Sequence, residues 1–231
     1  YNPIAIAQWG LGNFNLWYTT KENKYYEKFI LSADWLVSNL ILNDKNINVW
    51  MHKFDWEYRD TLKNPWYFGL AQGQGLSLLV RAHKITGKKK YLISSKNVFE
   101  SFLKTVEEGG VTYVDSEKNK WIEEYIVFPP THILNGFIWA LWGIYDYYIY
   151  FNEEKAKNLF NSYNKTLINN IKSYDINFWS LYEHSGTNLK MIASNFYHNL
   201  HIIQLEILYI LTGNNIFNVY KKSGLFIKEG H

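Results

Sequence analysis

The stretch FWSLYEHSGTNLKMIASNFYHNLHIIQLEILYILTG, Phe178 to Gly213, contains the whole grammar of the chain. It opens aromatic and polar, and from Phe196 it turns helical: His198, His201 and Gln204 recur every three residues, so they share one face, while Leu205, Leu208 and Ile210 fill the others. Gly213 then follows Thr212 as a natural C-cap residue. The same ending, Ile85-Thr86-Gly87, closes an apolar segment from Phe68 to Thr86, and a third apolar segment runs from Ile133 to Tyr150. Before each lies a loop, and before each loop an amphipathic segment, beginning at Lys24, Lys90 and Lys155. The recurrence of about 65 residues predicts helical hairpins repeated around an axis. The amphipathic member of each pair belongs outside and the apolar, polar-striped member inside. The expected fold is therefore all-α, an incomplete α/α barrel (toroid) of three or more hairpins, and the pattern counts three.

Between outer and inner helices lie pieces rich in aromatic and β-branched residues, Asn48 to Phe54, Val111 to Val114, Trp121 to Val127 and Phe178 to Tyr182, which read as short β-hairpins in the linkers. Every linker enters the N-terminal end of an inner helix, so a repeat architecture gathers all of them at one end. Three positive helix termini with free amide donors collect there, an arrangement that favours a carboxylate ligand. Residues 1 to 14, with Pro3, Gly10 and Gly12, read as an ordered, irregular arm. The expected domain organisation is a single unit, 1–231.

Composition bounds the function. Hydrophobic residues make up 47% and aromatic residues 19% of 231, against 19% charged, which excludes disorder and favours aromatic-lined clefts of the kind that suit sugar rings. A net charge of +3, evenly spread, argues against nucleic acid and mildly for an anionic substrate. With no cysteine there is neither a disulfide framework nor a thiolate metal site, and the compartment stays undecided. No run of 18 uncharged apolar residues is present, so no transmembrane segment is expected. The chain starts at Tyr1, which leaves room for an upstream signal, anchor or domain.

The candidate chemistry sits in the linkers. The glycines around Gln72 and Gln74 each cost a helix roughly 1 kcal/mol against alanine, unless backbone must approach closely; helix packing and ligand contact explain them equally well. Gln72 and Gln74 themselves suit sugar hydroxyls. Glu123 and Glu124 are adjacent in an extended aromatic stretch, so one can point inward while the other meets solvent or a structural partner. An inward carboxylate among aromatics has a raised pKa and can serve as general base or acid. The bland reading is an exposed acidic pair. Asn135 lies at the second inner-helix start, and the third linker supplies Tyr182, Lys190, Tyr197 and His198, with His201 one turn on. Satisfied core histidines and ordinary tyrosines, of which there are 19, are the corresponding bland reading there.

Taken together, IAIAQWGL (Ile4 to Leu11), SADWLV (Ser32 to Val37), AQGQGLSLLVRA (Ala71 to Ala82), EEY (Glu123 to Tyr125), LNGFIWALWGIYD (Leu134 to Asp146), SLYE (Ser180 to Glu183) and FYHNLHIIQL (Phe196 to Leu205) resemble the C-terminal helical domain of the D-glucuronyl C5-epimerases. That family turns D-glucuronate into L-iduronate within heparosan-type chains. The resemblance implies that the catalytic glutamate of its EEY motif falls on Glu124, the adjoining tyrosine on Tyr125, and its two further active-site tyrosines on Tyr182 and Tyr197. Two departures stand out. Leu11 runs almost directly into the first amphipathic helix, where the animal enzymes carry a β-sandwich-like insertion, and Ser185 replaces an arginine those enzymes place after the first tyrosine, with Lys190 as a substitute charge.

The chemistry so implied is isomerisation by two bases. Removing the C5 hydrogen of a uronate adds charge beside a carboxylate, which donors such as Lys190, His198, tyrosine hydroxyls and inner-helix amides must neutralise. Glu124 and Tyr197 come from different linkers and so can address opposite ring faces. A phenolate at Tyr197 needs a nearby cation or donor, His201 or Lys190. Tyr182 and Tyr125 orient the ring and stabilise charge. No cofactor or metal is called for; His198 and His201 lack a third ligand. The expected partner is an anionic uronate-containing polysaccharide, with a homodimer left open. Two rivals share these residue types: a polysaccharide lyase, which takes the same proton and then expels the C4 substituent, and a non-catalytic carbohydrate-binding domain. A glycoside hydrolase would need a second placed carboxylate.

Overall fold

The structure, a computed structural model, describes residues 1–187 and 190–225. Eight α-helices fall within the described residues: α1 (Pro3–Thr20), α2 (Asn23–Asn39), α3 (Gly69–Thr86), α4 (Lys89–Leu103), α5 (Leu134–Phe151), α6 (Glu154–Asn170), α7 (Asn195–Thr212) and α8 (Asn215–Leu225). The odd-numbered helices are each 18 residues long. They close the same way, with Lys21, Gly87, Asn152 and Gly213 in the left-handed conformation and the N–H of each returning 2.8 Å to the carbonyl four residues back. That shared stop turns the chain into the even-numbered helix a few residues later.

The division into inner and outer helices follows from the side chains. On α3 nearly every residue from Gly69 to Ala82 is buried, as is most of α5 from Leu134 to Gly143. By contrast α6 buries Ala156, Leu159, Phe160, Tyr163, Thr166 and Leu167, a single stripe at helical spacing. One hydrophobic cluster runs from Ala7 through Trp50, Phe99, Phe137 and Tyr163 to Phe217. α3 and α5 form the central packed pair, α1 lies on α3 and α7 on α5. Among the described residues α1 and α7 share no packed interface, so the toroid is open between them.

Glycine lets the central pair close. A Cβ on Gly143 would stand 2.7 Å from the carbonyl carbon of Gly73, and one on Gly73 would stand 2.8 Å from Ala140 Cβ, both well inside contact distance. The glycines of α3 therefore serve packing: Gly73 meets α5, and Gly75 meets the Trp50 ring.

The sequence pattern is corrected in three respects. Residues 1 to 14 are helical, not an irregular arm: Pro3 occupies the first turn, where its missing N–H is not needed, and Asn2 Oδ1 accepts from Ile4 N at 3.0 Å. The described residues form four hairpins, within the expected three or more but one beyond the three that the pattern counts, each an inner helix followed by its outer partner, because α1 and α8 extend the repeat at both ends. The linkers hold less strand than their aromatic content predicts: β1 (Ile41–Leu42) pairs with β2 (Asn48–Val49), β3 (Trp56–Glu57) with β4 (Thr61–Leu62), and β5 (Thr112–Val114) with β6 (Lys120–Ile122), while Phe178 to Tyr182 forms only isolated bridges. Residues 226–231 of the expected 1–231 unit lie outside the described residues. Among those described, no helix is long and apolar enough to cross a membrane.

Replacing Gly143 by alanine is expected to cost about 1–3 kcal/mol of unfolding free energy through overpacking. Gly12→Ala, where the added methyl meets open space inside α1, should instead gain up to about 1 kcal/mol. Urea denaturation of the two variants beside the parent checks this, and shifts of the same sign would overturn the close approach of α3 and α5.

Candidate active site

Helix starts need partners for their first amides, and α3 and α5 lack side-chain caps of their own, because Phe68 and Ile133 precede them. The following linker supplies the acceptor each time. Gly69 N donates to the Glu123 carbonyl at 2.8 Å, and Leu134 N donates to the Tyr182 carbonyl at 3.1 Å. His184 N donates to Thr131 O at 3.0 Å, which ties the third linker to the second. The residues singled out in the sequence are thereby pinned to one end of the toroid.

Glu123 and Glu124 are both buried but stand in opposite situations. Glu123 accepts from Thr131 N (3.3 Å), His132 N (3.2 Å) and the His132 ring (2.5 Å), and the His132 ring in turn lies flat on Trp121 with centroids 4.1 Å apart. It anchors the turn into α5. Glu124 points the other way, with its carboxyl against the backbone of Gly136 in the first turn of α5; a Cβ there would come within 2.7 Å of Glu124 Cδ. Its Oε2 is buried and has no hydrogen-bond partner among the described residues. Burial, and next the charge of Glu123, push the Glu124 carboxyl up to about 8.

Tyrosines from three linkers surround this acid. Tyr125 stacks on Phe68 at 5.7 Å and lies 4.5 Å, ring to ring, from Tyr58. Tyr182 meets Tyr197 with centroids 4.8 Å apart. Burial raises the hydroxyls of Tyr125 and Tyr182 above the usual phenol range, and the charges of Glu124 and Tyr197 raise both further. Tyr58 and Tyr125 add to the effect on Tyr182. Tyr125 and Tyr182 each feel both Glu124 and Tyr197, and through them the four side chains join in one cluster.

The remaining expected residues differ in what they bond. Gln72 is committed to the backbone: its Oε1 accepts from Trp50 N (3.1 Å) and its Nε2 donates to Trp50 O and Phe68 O (3.3 Å each). Gln74 is buried with neither amide atom bonded among the described residues, and Asn135 Oδ1 is in the same state, while its carbonyl accepts from Gln204 at 3.0 Å. His198 Nδ1 accepts from Ser180 N (3.2 Å), and its ring lies on Trp179 at 4.0 Å. The Ser180 hydroxyl bonds both His198 Nδ1 (2.9 Å) and His201 Nδ1 (2.8 Å), so the two histidines hold the third linker from behind. Burial and then the neighbouring His198 push His201 down to about 3, which keeps it neutral. Lys190 is exposed; burial, then His132 and then Lys190 lower the pKa of His184.

Sequence reasoning missed Tyr58 and Arg59. They form the tip of the β3–β4 hairpin, and both reach Glu183 in the third linker: the Tyr58 hydroxyl donates to Oε2 and Arg59 Nη2 to Oε1. Arg59 Nη2 also donates to Ser185 Oγ at 2.8 Å. The only sequence signal was a polar Tyr-Arg-Asp tip between aromatic residues. Beside the cluster, behind Trp66 and Ile126, a cleft of about 580 Å³ opens, lined also by Met51, Lys53 and Tyr67.

The family profile of the D-glucuronyl C5-epimerase C-terminus matches residues 43–223. A D-glucuronyl C5-epimerase of Caenorhabditis elegans is 35% identical over 129 residues, 55% of this chain and 20% of that protein. An uncharacterised protein of Methanocaldococcus jannaschii is 29% identical over 209 residues, 86% of this chain and 66% of that protein. Among solved structures, the GH76 α-mannanase of Bacteroides thetaiotaomicron superposes with a TM-score of 0.62 at 12% identity, over 96% of this chain and 55% of its own. The GH76A α-1,6-mannanase of Salegentibacter sp. HEL1_6 gives 0.63 at 12%, over 97% and 59%. At such identity the likeness concerns the fold alone, and it is that of an α/α barrel.

A carboxyl raised from 4.5 to about 8 favours the folded state fully only while protonated in both states. Its contribution is lost as pH climbs from about 4.5 to about 8, at up to about 1.4 kcal/mol per unit. Glu124→Gln should therefore gain stability relative to the parent between pH 5 and pH 8.5, read as denaturant midpoints. Parallel pH profiles would overturn the raised value.

Proposed function

Because the chain belongs to the D-glucuronyl C5-epimerase C-terminal family, we propose that it is a uronate C5-epimerase, an isomerase converting D-glucuronate to L-iduronate residues within an anionic polysaccharide. Glu124 carries this reading: a buried carboxyl with an unbonded oxygen and a pKa near 8, among tyrosine hydroxyls that come from other linkers. The chain spans 66% and 20% of two relatives it matches, so the proposed substrate is that of this domain's chemistry and not of a longer protein.

In the proposed reaction the ionised Glu124 takes the C5 proton from one face of the glucuronate ring. Its raised pKa makes it a stronger base than a solvated carboxylate while keeping an ionised fraction near neutral pH. Electron density moves toward the sugar carboxylate, giving an enediolate-like state. The Tyr197 hydroxyl returns a proton to C5 from the opposite face and inverts it. The cycle leaves Glu124 protonated and Tyr197 as phenolate, and exchange with solvent resets both. Tyr125 and Tyr182 keep their protons, since burial and neighbouring charge hold their hydroxyls high, and they donate to the carboxylate as charge builds there. The cleft behind Trp66 suits a neighbouring sugar of the same chain.

Incubation with glucuronate-containing polysaccharides, heparosan first, in deuterated water should yield both uronate epimers carrying deuterium at C5, with the chain uncut, as read by NMR. Unsaturated chain ends would replace the epimerase with a lyase, and inertness across a broad panel would favour a binding domain. Glu124→Gln and Tyr197→Phe, both nearly isosteric, should each lower kcat by about 10²–10⁴. In the parent, kcat/KM should rise with pH toward a plateau above about 8, as the base ionises. Full activity in either variant removes that residue from the mechanism.

A further inference from the structure

A cation at the substrate carboxylate would strengthen what the tyrosine hydroxyls donate there, and the suppliers expected from the sequence are exposed, neutral or already engaged. Lys190 is exposed beside His184, His201 is held neutral, and the His198 ring is engaged with Trp179 and Ser180. Arg59 is better placed. Its neighbour Tyr58 lies 4.5 Å, ring to ring, from Tyr125 and feels the charges of both Arg59 and Glu124. Its guanidinium reaches Glu183, the residue directly after Tyr182, and Ser185.

What the guanidinium bonds is informative. Glu183 is a carboxylate with 2% exposure, and it takes one donor from Tyr58 and one from Arg59. Both Arg59 side-chain bonds use Nη2 alone; Nη1 and Nε make none among the described residues. An arginine with a whole edge uncommitted matches a second carboxylate in the two-pronged geometry that guanidinium groups favour. A compact ammonium such as Lys53, exposed at the neighbouring cleft, lacks that planar fork.

We propose that Arg59 receives the carboxylate of the substrate uronate, with Glu183 as the intramolecular carboxylate that holds the guanidinium in position and competes for it. Arg59 is then the residue by which the site distinguishes an acidic sugar from a neutral one. The proposal rests on the epimerase reading for the identity of the sugar, but uronate binding alone is enough to test it.

The pair's two members give opposite expectations. Arg59→Gln should weaken binding of glucuronate-containing oligosaccharides 10- to 100-fold while leaving binding of their carboxyl-reduced forms within twofold of the parent. Glu183→Gln, which keeps a hydrogen-bond acceptor for Tyr58 and removes the competing charge, should bind the acidic forms as well as the parent or better. Arg59→Lys should fall between. Calorimetric titration measures all four proteins, with circular dichroism and denaturant midpoints establishing that each is folded. Equal losses in Arg59→Gln and Glu183→Gln would mean that the pair only latches the hairpin to the third linker, and would overturn the proposal. So would unchanged acidic binding in Arg59→Gln, or a parent that does not prefer acidic to neutral sugars. If the parent binds uronate through Arg59 yet shows no C5 exchange in deuterated water, Arg59 stands and the epimerase reading falls.

Discussion

The first amides of α3 and α5 have no acceptor within their own hairpins, and the architecture of the site follows from how that is remedied. An N-terminal cap is typically worth about 0.5–2 kcal/mol, and a buried amide left without an acceptor costs a comparable amount. Here the acceptors are the carbonyls of Glu123 and Tyr182, each from the linker of the next repeat. The residue after Glu123 is the central acid, and Tyr182 is itself one of the surrounding tyrosines. Backbone bonds that complete the helices therefore set the side-chain positions of the cluster. α7, the last inner helix, does without this device and uses the hydroxyl of Ser194, which receives Tyr197 N at 3.4 Å.

Within that frame, two adjacent glutamates with the same intrinsic chemistry reach different states because their surroundings differ in donors. Glu123 collects two backbone amides and a histidine, so both of its oxygens are bonded. Glu124 is pressed onto a glycine backbone with an oxygen left unbonded, and the anion beside it adds to the cost of ionising. The alternation of an extended strand is enough to separate them. A carboxylate fully bonded to its own backbone turn and one with an unbonded buried oxygen thus arise from a single dipeptide.

Much of this was legible in the sequence because the repeat imprints itself on spacing. The outer helices begin at Asn23, Lys89 and Glu154, within a residue of the sequence expectation, since their amphipathic stripes are strong local signals. The α1 helix was missed because Pro3, Gly10 and Gly12 are breakers by local rule; Pro3 is harmless in a first turn, and Gly10 admits Leu78 and Ser32 of neighbouring helices. Gln72 resembled a sugar contact because nothing local reveals that Trp50, 22 residues earlier, needs both ends of its amide. Arg59 was invisible for the converse reason: its partner Glu183 lies 124 residues away, and a polar hairpin tip is the commonest place for a solvated charge. Local periodicity reports which helix a residue joins, whereas the pairing of side chains across linkers is a property of the assembled toroid.

The forward direction of the caps also bears on how the chain is made. A nascent polypeptide emerges N-terminus first, and its early units begin to order before the later ones exist. When α3 leaves the ribosome, the carbonyl that completes it belongs to a residue beyond the whole of α4, and α5 likewise waits for a residue beyond all of α6. Each hairpin is therefore finished one repeat late, and a chain halted between repeats carries an inner helix with an open end. Glu124 gains Tyr182 and Tyr197 only when the fourth hairpin arrives. Translation reaches that hairpin after the other three, so the buried acid is fully enclosed only once the earlier repeats have been capped.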